Sequence, residues 1–401
     1  MFRPYVRVLR TPHTALPFVS SFLGSLPITM LSLGVLLLIQ SSTGSFIQAG
    51  FVSGALSAGN GLGLIVQGRL IDRHGQTVVL IPTGILCGSA LVALTIAASS
   101  AAPMIILMLL AGIAGASIPA VITSMRVLIP ELITEPDLRQ TGYAVLGTQF
   151  QLAMISGPLL VSALLVVAGP AIAVLIAAGL AIVGGLVFAA TPASRRWRPA
   201  PTTDQVDGLR LRPAAIVTQG LLTLLLANTA AGLAAGLISV AITASAVAAG
   251  ITSLAGLLFA AQSAGDILGG FVYGGRRWRM AVPDRLIMCQ AGTVIMIGLL
   301  AVLAGHPVGM LPVMFGIGLF QAPGGIASST LLDAVARKGA LGLSYTSLVG
   351  AGLGGTAIGS SIGGTVQEAT STLVLFLIAA GTTAAAVAQT VVRRRTLTAR
   401  P

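Results

Sequence analysis

The sequence predicts an all-helical integral membrane protein with twelve transmembrane helices in two six-helix repeats, and three observations support this fold class. Charged residues make up only 8% of the 401-residue chain, whereas a soluble domain carries about 25%. Hydrophobic residues make up 55% and gather in long runs. The basic residues are confined to alternate segments between those runs. This composition argues against a soluble enzyme, a nucleic-acid-binding domain and a disordered chain, because all three need more charge.

Twelve apolar runs are each long enough to cross a bilayer, which takes about 20 helical residues. We name them span 1 to span 12 in chain order. They cover residues 16–40, 46–68, 77–98, 103–125, 143–167, 170–190, 214–240, 252–275, 284–305, 308–331, 343–366 and 370–391. Span 1 follows basic residues as a signal peptide does, but it is too long for the apolar core of one. We therefore expect it to be retained as the first helix.

The positions of the basic residues predict the orientation of the chain. All 22 Lys and Arg residues lie in the N-terminal segment, the 2–3, 4–5, 8–9 and 10–11 loops, the central linker and the C-terminal tail. The alternate loops contain none. Because Lys and Arg favour the cytoplasmic side, we expect both termini in the cytoplasm and a multi-pass protein of the inner or plasma membrane. The net charge of +12 then reflects topology and contact with anionic membrane lipid, and we expect no nucleic-acid partner.

The two halves of the chain resemble each other. Residues 57–60 of span 2, Ser-Ala-Gly-Asn, match residues 263–266 of span 8, Ser-Ala-Gly-Asp, at an offset of 206. Further matches are Gly63 with Gly269, Pro119 with Pro323, and Tyr143 with Tyr345. The matches predict an N-terminal six-helix bundle over 1–192, a cytoplasmic linker over 193–213 that is rich in Pro and Arg, and a C-terminal six-helix bundle over 214–401.

Residues 68–75, between spans 2 and 3, read Gly-Arg-Leu-Ile-Asp-Arg-His-Gly. This octapeptide resembles the G-x-L-x-D-R-x-G signature that the major facilitator superfamily carries between its second and third helices. Gln76 and Thr77 stand where that family usually has two basic residues. Span count, linker and repeat extend the resemblance over essentially the whole chain. It implies two bundles that rock about a central site.

The resemblance implies a gate at this motif, formed by Gly68, Arg69, Asp72, Arg73 and Gly75. Gly68 permits close helix approach, and Gly75 permits a tight turn. The Asp72 carboxylate would accept hydrogen bonds at the start of span 11, where a helix N-terminus favours an anion. That contact would join the halves on the cytoplasmic side and break when the inside opens. The alternative is a solvated turn whose arginines only set topology.

Span 5 carries Gly157-Pro158, which resembles part of the G-x-x-x-G-P-x-x-G-G motif of bacterial drug and metabolite exporters in the same family. Ala153 stands for the first Gly of that motif, and Val161-Ser162 stands for its last pair. The match favours export and a helix kink at Gly157-Pro158. The alternative is a proline kink that only serves packing.

Asp266 is the only charged residue that the sequence places well inside a span. A charge at the bilayer centre costs about 2.5–3.5 kcal/mol, and protonation removes that cost. Asp266 is therefore a candidate for carrying a coupling proton; the alternative is a hydrogen bond to a neighbouring helix. Related proton-coupled exporters often have an acidic residue in span 1 and an Arg in span 4, which this chain lacks, so uniport remains open. Glu368, near the outer end of span 11, is expected to be solvated.

Neutral polar side chains near mid-span are candidates for contact with a substrate, or alternatively for helix–helix hydrogen bonds. The candidates are Thr29, Ser32, Gln149, Asn228, Gln262 and Gln321, with Phe320 as an apolar wall. A cavity without fixed charges suits neutral, amphipathic or weakly cationic small molecules. Phosphorylated and dicarboxylate solutes suit it poorly, because they need Arg or Lys partners.

The sequence thus favours a secondary transporter that exports small apolar or amphipathic solutes, with protons as the coupling ion. A facilitator or proton-coupled importer of a neutral solute such as a sugar is the alternative, and a membrane-embedded enzyme or a sensor is a remoter one. The acidic cluster Glu131, Glu135 and Asp137 lacks a His partner or a phosphate-binding loop, so we expect no enzyme. The scattered His and Cys residues predict no metal site and no cofactor. We expect a monomer.

Overall fold

The computed structural model describes residue 8 and residues 14–133, 135–197, 218–276, 278–337 and 341–398. The N-terminal arginines, most of the predicted linker (residues 198–213) and the start of predicted span 7 (residues 214–217) lie outside this part of the chain. Every regular element within the described ranges is a helix. The predicted all-helical fold class is therefore confirmed.

Each predicted span forms a helix, and only span 4 is divided. In chain order the helices are Ala15–Thr43, Phe46–His74, Gln76–Ser99, Met104–Ala116 with Val121–Leu132 for span 4, Pro136–Val167, Gly169–Ala190, Gln219–Ala248, Leu254–Gly275, Val282–Val302, Met310–Val335, Leu341–Ala369 and Thr372–Val392. Short helices cover Pro192–Arg196, Pro307–Gly309 and Arg394–Leu397.

Eleven of the described helices are long and apolar enough to cross a membrane, counting span 4 as one. Span 11 is the exception, although its 29 residues match the others in length. Its sequence is rich in Gly, Ser and Thr because it packs against helices on two sides. Gly355 and Gly359 meet the backbone of span 7, and Gly364 meets the backbone of span 2. Small residues allow this close approach at the expense of hydropathy.

The two halves pack their equivalent helices in equivalent ways. In the N-terminal half, Gly59 of span 2 lies against the carbonyl of Gly112 in span 4. In the C-terminal half, Gly265 of span 8 lies against the carbonyl of Phe315 in span 10. Gly59 and Gly265 are separated by the offset of 206 found in the sequence repeat. The sequence repeat therefore corresponds to a repeated helix–helix contact.

The halves meet along two seams, one between spans 2 and 11 and one between spans 5 and 8. Span 1 begins and span 12 ends at one end of the molecule, which we call the terminal end; the other is the opposite end. Contacts across the first seam run from Gly50 with Ser360 to Gly61 with Leu353. Nearer the terminal end this contact is lost, because within the described chain no atom of another helix lies within 4 Å of a side-chain carbon added at Gly68. The molecule is thus closed at the opposite end and open at the terminal end.

The signature between spans 2 and 3 is more helical than a loop. Span 2 continues through His74, so residues 68–74 form its last two turns. Basic side chains such as Arg73 suit the negative end of a helix dipole, which favours this extension. The chain turns at Gly75, whose φ of 89° and ψ of 164° fall in a region that essentially only Gly adopts. The tight turn expected in this motif is therefore made at Gly75 alone.

Span 4 is interrupted between Ala116 and Val121, where one continuous helix was predicted. Such a break exposes backbone groups that lipid cannot satisfy. Gln67 of span 2 satisfies them, because its Nε2 donates to the carbonyls of Ala116 at 2.9 Å and Ile118 at 2.8 Å. Its Oε1 accepts from the N–H of Ala120 at 3.1 Å. A single amide thus bridges the break.

Candidate functional site

A cavity of about 610 Å³ lies between the two halves, and both contribute to its wall. Its apolar wall includes Phe150, Phe259, Phe320, Ile28 and Ile238. Most of its polar groups are hydroxyls and amides. Among the described lining residues, Asp266 is the only one that carries a charge. The site therefore resembles a small apolar chamber with a few neutral hydrogen-bonding groups and one carboxyl group.

Asp266 lines this cavity from span 8, where the helix packs closely on span 10. A side-chain carbon added at Gly318 would meet the backbone of Gln262 and Asp266, so this close approach fixes the position of the carboxyl group. Oδ1 of Asp266 is buried and receives no hydrogen bond from the described residues. Because a buried carboxyl oxygen without a donor is costly, a proton or a donor on the occupant of the cavity satisfies it best.

Two further buried oxygens at the cavity wall have no partner within the described ranges, namely Oε1 of Gln290 and Oγ of Ser53. Gln290 belongs to span 9 and Ser53 to span 2, so the two groups come from different halves. Neither was singled out by the sequence reasoning. Together with Asp266 they give the cavity three oxygen atoms that are able to accept hydrogen bonds.

Most of the predicted neutral residues lie at the cavity. Thr29, Ser32, Asn228, Gln262, Gln321 and Phe320 all line it. Three of the amides also join helices: Nε2 of Gln262 donates to Oε1 of Gln321 at 2.5 Å, and Nδ2 of Asn228 donates to the carbonyl of Leu348 at 2.7 Å. The helix–helix hydrogen bonds considered for these residues are therefore formed by the three amides, and contact with a substrate stays a prediction.

Gln149 is placed elsewhere. Its Nε2 donates to the carbonyl of Phe18 at 3.1 Å, and its Oε1 accepts from the hydroxyl of Ser21 at 3.5 Å. Both partners belong to span 1, so Gln149 joins spans 1 and 5 and does not line the cavity. Sequence position alone could not distinguish this role, because both helices border the cavity.

Gly157 and Pro158 lie at a meeting point of three helices. A side-chain carbon at Gly157 would overlap Thr29 of span 1, and the carbonyl of Pro158 lies against Gly256 of span 8. The helix Pro136–Val167 continues through Pro158. Pro158 lacks an N–H, so the carbonyl of Met154 loses its usual donor. Ser263 of span 8 replaces it, because its Oγ donates to Met154 at 3.1 Å.

The residues of the predicted gate lie at the open terminal end. Arg69, Asp72 and Arg73 are exposed, and the Asp72 carboxylate accepts no hydrogen bond from the described residues. Apart from the adjoining backbone of span 2, no atom of the described residues lies within 4 Å of a carbon added at Gly68. The expected contact between Asp72 and the start of span 11 is therefore not formed in this open conformation.

The residues that sequence reasoning missed are mainly Ser, Thr and one Gln. Ser263, Thr293, Ser328 and Thr356 line the cavity along with Gln290. A Ser or Thr in an apolar helix gives little indication that it lines a cavity, because most such hydroxyls donate to a backbone carbonyl in the preceding turn of their own helix. Gln290 could have been predicted from the sequence, because an amide side chain within an apolar span such as span 9 needs a polar environment. No group of three or more His, Cys, Asp or Glu able to hold a metal occurs in the described ranges.

The fold is similar to solved transporter structures. Superposition on the nucleoside transporter NupG gives a TM-score of 0.73 at 14% identity, covering 95% of this chain and 99% of that one. A bacterial homologue of the iron transporter ferroportin in the inward-facing state gives 0.73 at 13% identity, covering 94% and 98%. At these identities the likeness shows the fold alone. No curated protein matches the sequence.

The sequence profile of the Major Facilitator Superfamily matches residues 18–245, which is more than half of the chain. The match begins in span 1 and ends in span 7, so it includes the signature at 68–75. Family match, fold and the cavity between two repeated halves agree, and the chain belongs to the Major Facilitator Superfamily, a family of multi-pass membrane transporters.

Proposed function

We propose that this protein is a secondary transporter of the cell membrane that exports small apolar or amphipathic solutes in exchange for protons, by alternating access. The observation that carries the proposal is the central cavity of about 610 Å³, with walls from both halves and one acidic side chain. It is closed at the opposite end and open at the terminal end. Rocking of the halves would reverse that exposure.

The lining of the cavity supports the proposed class of substrate. No Lys or Arg is found among its described lining residues, so an anionic solute would lack a partner for its charge. Aromatic walls at Phe150, Phe259 and Phe320 favour apolar groups, and they can also face a cation. The acceptor oxygens of Asp266 and Gln290 favour a solute that carries N–H or O–H donors.

Proton coupling is assigned to Asp266. Protonation would neutralise a carboxyl group in the middle of the membrane, where the charged form is costly. A bound cation or donor would favour the charged form instead. Substrate and proton would then compete for one group, which is the simplest basis for exchange in opposite directions. The arginines indicate that the terminal end faces the cytoplasm. The open cavity would then take up its solute from the cytoplasm, as export requires.

Facilitated or proton-coupled uptake of a neutral solute such as a sugar is the second candidate. One observation favours it: five amide side chains line the cavity, namely Asn60, Asn228, Gln262, Gln290 and Gln321. Amides bond hydroxyl groups equally well as donor and acceptor. Transport of a neutral hydroxylated solute but not of an amphipathic cation would select this alternative. A dependence of that transport on the pH gradient would then distinguish proton-coupled uptake from facilitated uptake.

Transport by purified protein in liposomes under an imposed pH gradient tests the proposal. Tetraphenylphosphonium serves as the amphipathic cation and glucose as the neutral solute. We expect gradient-driven accumulation of tetraphenylphosphonium by the parent protein and a loss of about tenfold or more in Asp266→Asn, a change worth about 1.4 kcal/mol. Exchange down a concentration gradient should persist in that variant, because it needs no proton carrier.

Ser32→Ala is the matched control, because Ser32 lines the same cavity but cannot carry a charge. It should keep its response to the pH gradient. Undiminished accumulation by Asp266→Asn would refute the role of Asp266 in coupling. Accumulation of glucose but not of tetraphenylphosphonium would refute the proposed substrate class.

A further inference from the structure

Glu368 lies at the opposite end of the molecule, in the last turn of span 11, and it contacts span 2 of the other half. Its Oε1 accepts a hydrogen bond from the hydroxyl of Ser45 at 2.5 Å and another from the N–H of Ile47 at 2.9 Å. The side chain was expected to be solvated. It is indeed exposed, but its carboxylate is bound across the seam between the halves.

The bound group is the N-terminus of span 2, which begins at Phe46. The first N–H groups of a helix have no partner within the helix, and they favour an anion. Ser45 is the N-cap residue, and its hydroxyl accepts from the N–H of Gln48 at 3.2 Å while donating to Glu368. The carboxylate thus completes the cap of a helix that belongs to the other half.

The backbones approach closely at this point. Gly50 and Gly54 of span 2 lie against the carbonyls of Ser360 and Ala357 in span 11, and Gly364 lies against the carbonyl of Phe46. Small residues four apart on both helices allow this contact. The seam therefore places the two helix ends within reach of a glutamate side chain. When the opposite end opens, the same helices must separate and the cap must be lost.

Among the described residues, no other carboxylate lies at this end. Every other Asp or Glu of the described helices belongs to the terminal end or, for Asp266, to the cavity, and the described Arg residues lie in segments of the terminal end. The ion pair between Arg394 and Asp284, at 2.7 Å, lies within the C-terminal half. Within the described chain, Glu368 therefore provides the charged contact between the halves at the opposite end.

We infer that Glu368 is a positioning residue of the transport cycle, which holds the opposite end closed by capping span 2 from the other half. The inference rests on the alternating access proposed above. Hydrogen bonds to a charged acceptor are about twice as strong as neutral ones. The contact exists only while this end is closed, so it biases the molecule toward the conformation that is open at the terminal end.

Distance measurements between spin labels test this role without any substrate. Labels at Ser42→Cys and Thr370→Cys report the separation of exposed positions in the two halves at the opposite end. Native Cys87 and Cys289 are replaced by Ser in every sample. We expect the closed population to fall by about tenfold relative to the open one in Glu368→Ala, and by less in Glu368→Gln, which keeps an acceptor oxygen.

Gln367→Ala is the matched control, because Gln367 bonds Thr372 within its own half. It should leave the distances unchanged. Ser45→Ala should produce part of the effect of Glu368→Ala, and the two changes together should add little more. An unchanged distance distribution in both Glu368 variants would overturn the inference. Because no transport is measured, that outcome would leave the proposed substrate and proton coupling untouched.

Discussion

A proline in span 5 creates a contact between the two halves. Pro158 lacks the N–H that would bond the carbonyl of Met154, and the hydroxyl of Ser263 in span 8 bonds that carbonyl at 3.1 Å. The same seam has a second hydroxyl contact, in which Ser162 donates to the carbonyl of Ser253 at 2.6 Å. The residue that disrupts one helix therefore supplies an acceptor for its neighbour.

Ser263→Ala should lower the free energy of unfolding by about 0.6 kcal/mol, the average for hydrogen bonds between membrane helices, and by no more than about 1.7 kcal/mol. The loss arises because the carbonyl of Met154 is left without a donor. Titration of the purified protein with SDS in mixed micelles measures it. In a Pro158→Ala background the helix regains its N–H, so the same Ser263→Ala change should cost clearly less. Equal costs in both backgrounds would contradict the explanation.

Sequence reasoning at this scale succeeds where a residue is out of place in an apolar helix. Asp266 and most of the mid-span amides could be predicted to line the cavity, because a charged or amide side chain is rare within an apolar span. Ser263 was not found, because its role depends on a proline in another helix that is 105 positions away by the numbering. Gln149 was assigned to the cavity because its distance from span 1 is not visible in the sequence.

At the scale of the element, spans 4 and 10 show how equivalent helices can differ. Pro119 and Pro323 occupy matching positions in the repeat. Span 4 breaks beside Pro119, yet span 10 is continuous from Met310 to Val335. Gln67 bridges the break in span 4, and the offset of 206 places Tyr273 at the equivalent position, where no amide is available. A break is stable only where side chains satisfy the freed backbone groups.

Gln67→Met should therefore destabilise the protein by about 2 kcal/mol, because two carbonyls and one N–H would lose their partner in the membrane. The midpoint of an SDS unfolding titration measures the effect. Gln151→Met is the matched control, since Gln151 is half-buried in span 5 and makes no hydrogen bond with the described residues. The explanation would be wrong if the two substitutions shifted the midpoint equally.

Element positions were largely predictable, whereas the break in span 4 and the helical form of the 68–74 signature were not. Apolar runs mark where a helix crosses the membrane, because hydropathy is a local property. Helix ends depend on capping and on neighbouring helices. Span 2 continues beyond its apolar run to Gly75, because arginines suit both the end of a helix and the membrane surface.

At the scale of the whole molecule, the distribution of arginines and the shape of the cavity point to the same end. The Arg residues that the structure describes belong to segments at the terminal end, and the cavity opens toward that end. If arginines fix this end in the cytoplasm, the described conformation exposes its cavity to the cytoplasm. The sequence could predict the charge distribution, but which end is open depends on seam contacts between distant spans.

Cysteine labelling in oriented vesicles tests topology and conformation together. Ser57→Cys places a thiol on the cavity wall, and Ser41→Cys places one at the exposed opposite end. In a background with Cys87→Ser and Cys289→Ser, a membrane-impermeant maleimide should react with Ser57→Cys only from the cytoplasmic face. It should react with Ser41→Cys only from the outer face, because the seams at the opposite end separate that position from the cavity. Reaction of Ser41→Cys from the cytoplasmic face would contradict the orientation. Reaction of both thiols from the outer face would show instead that the opposite end is the open one.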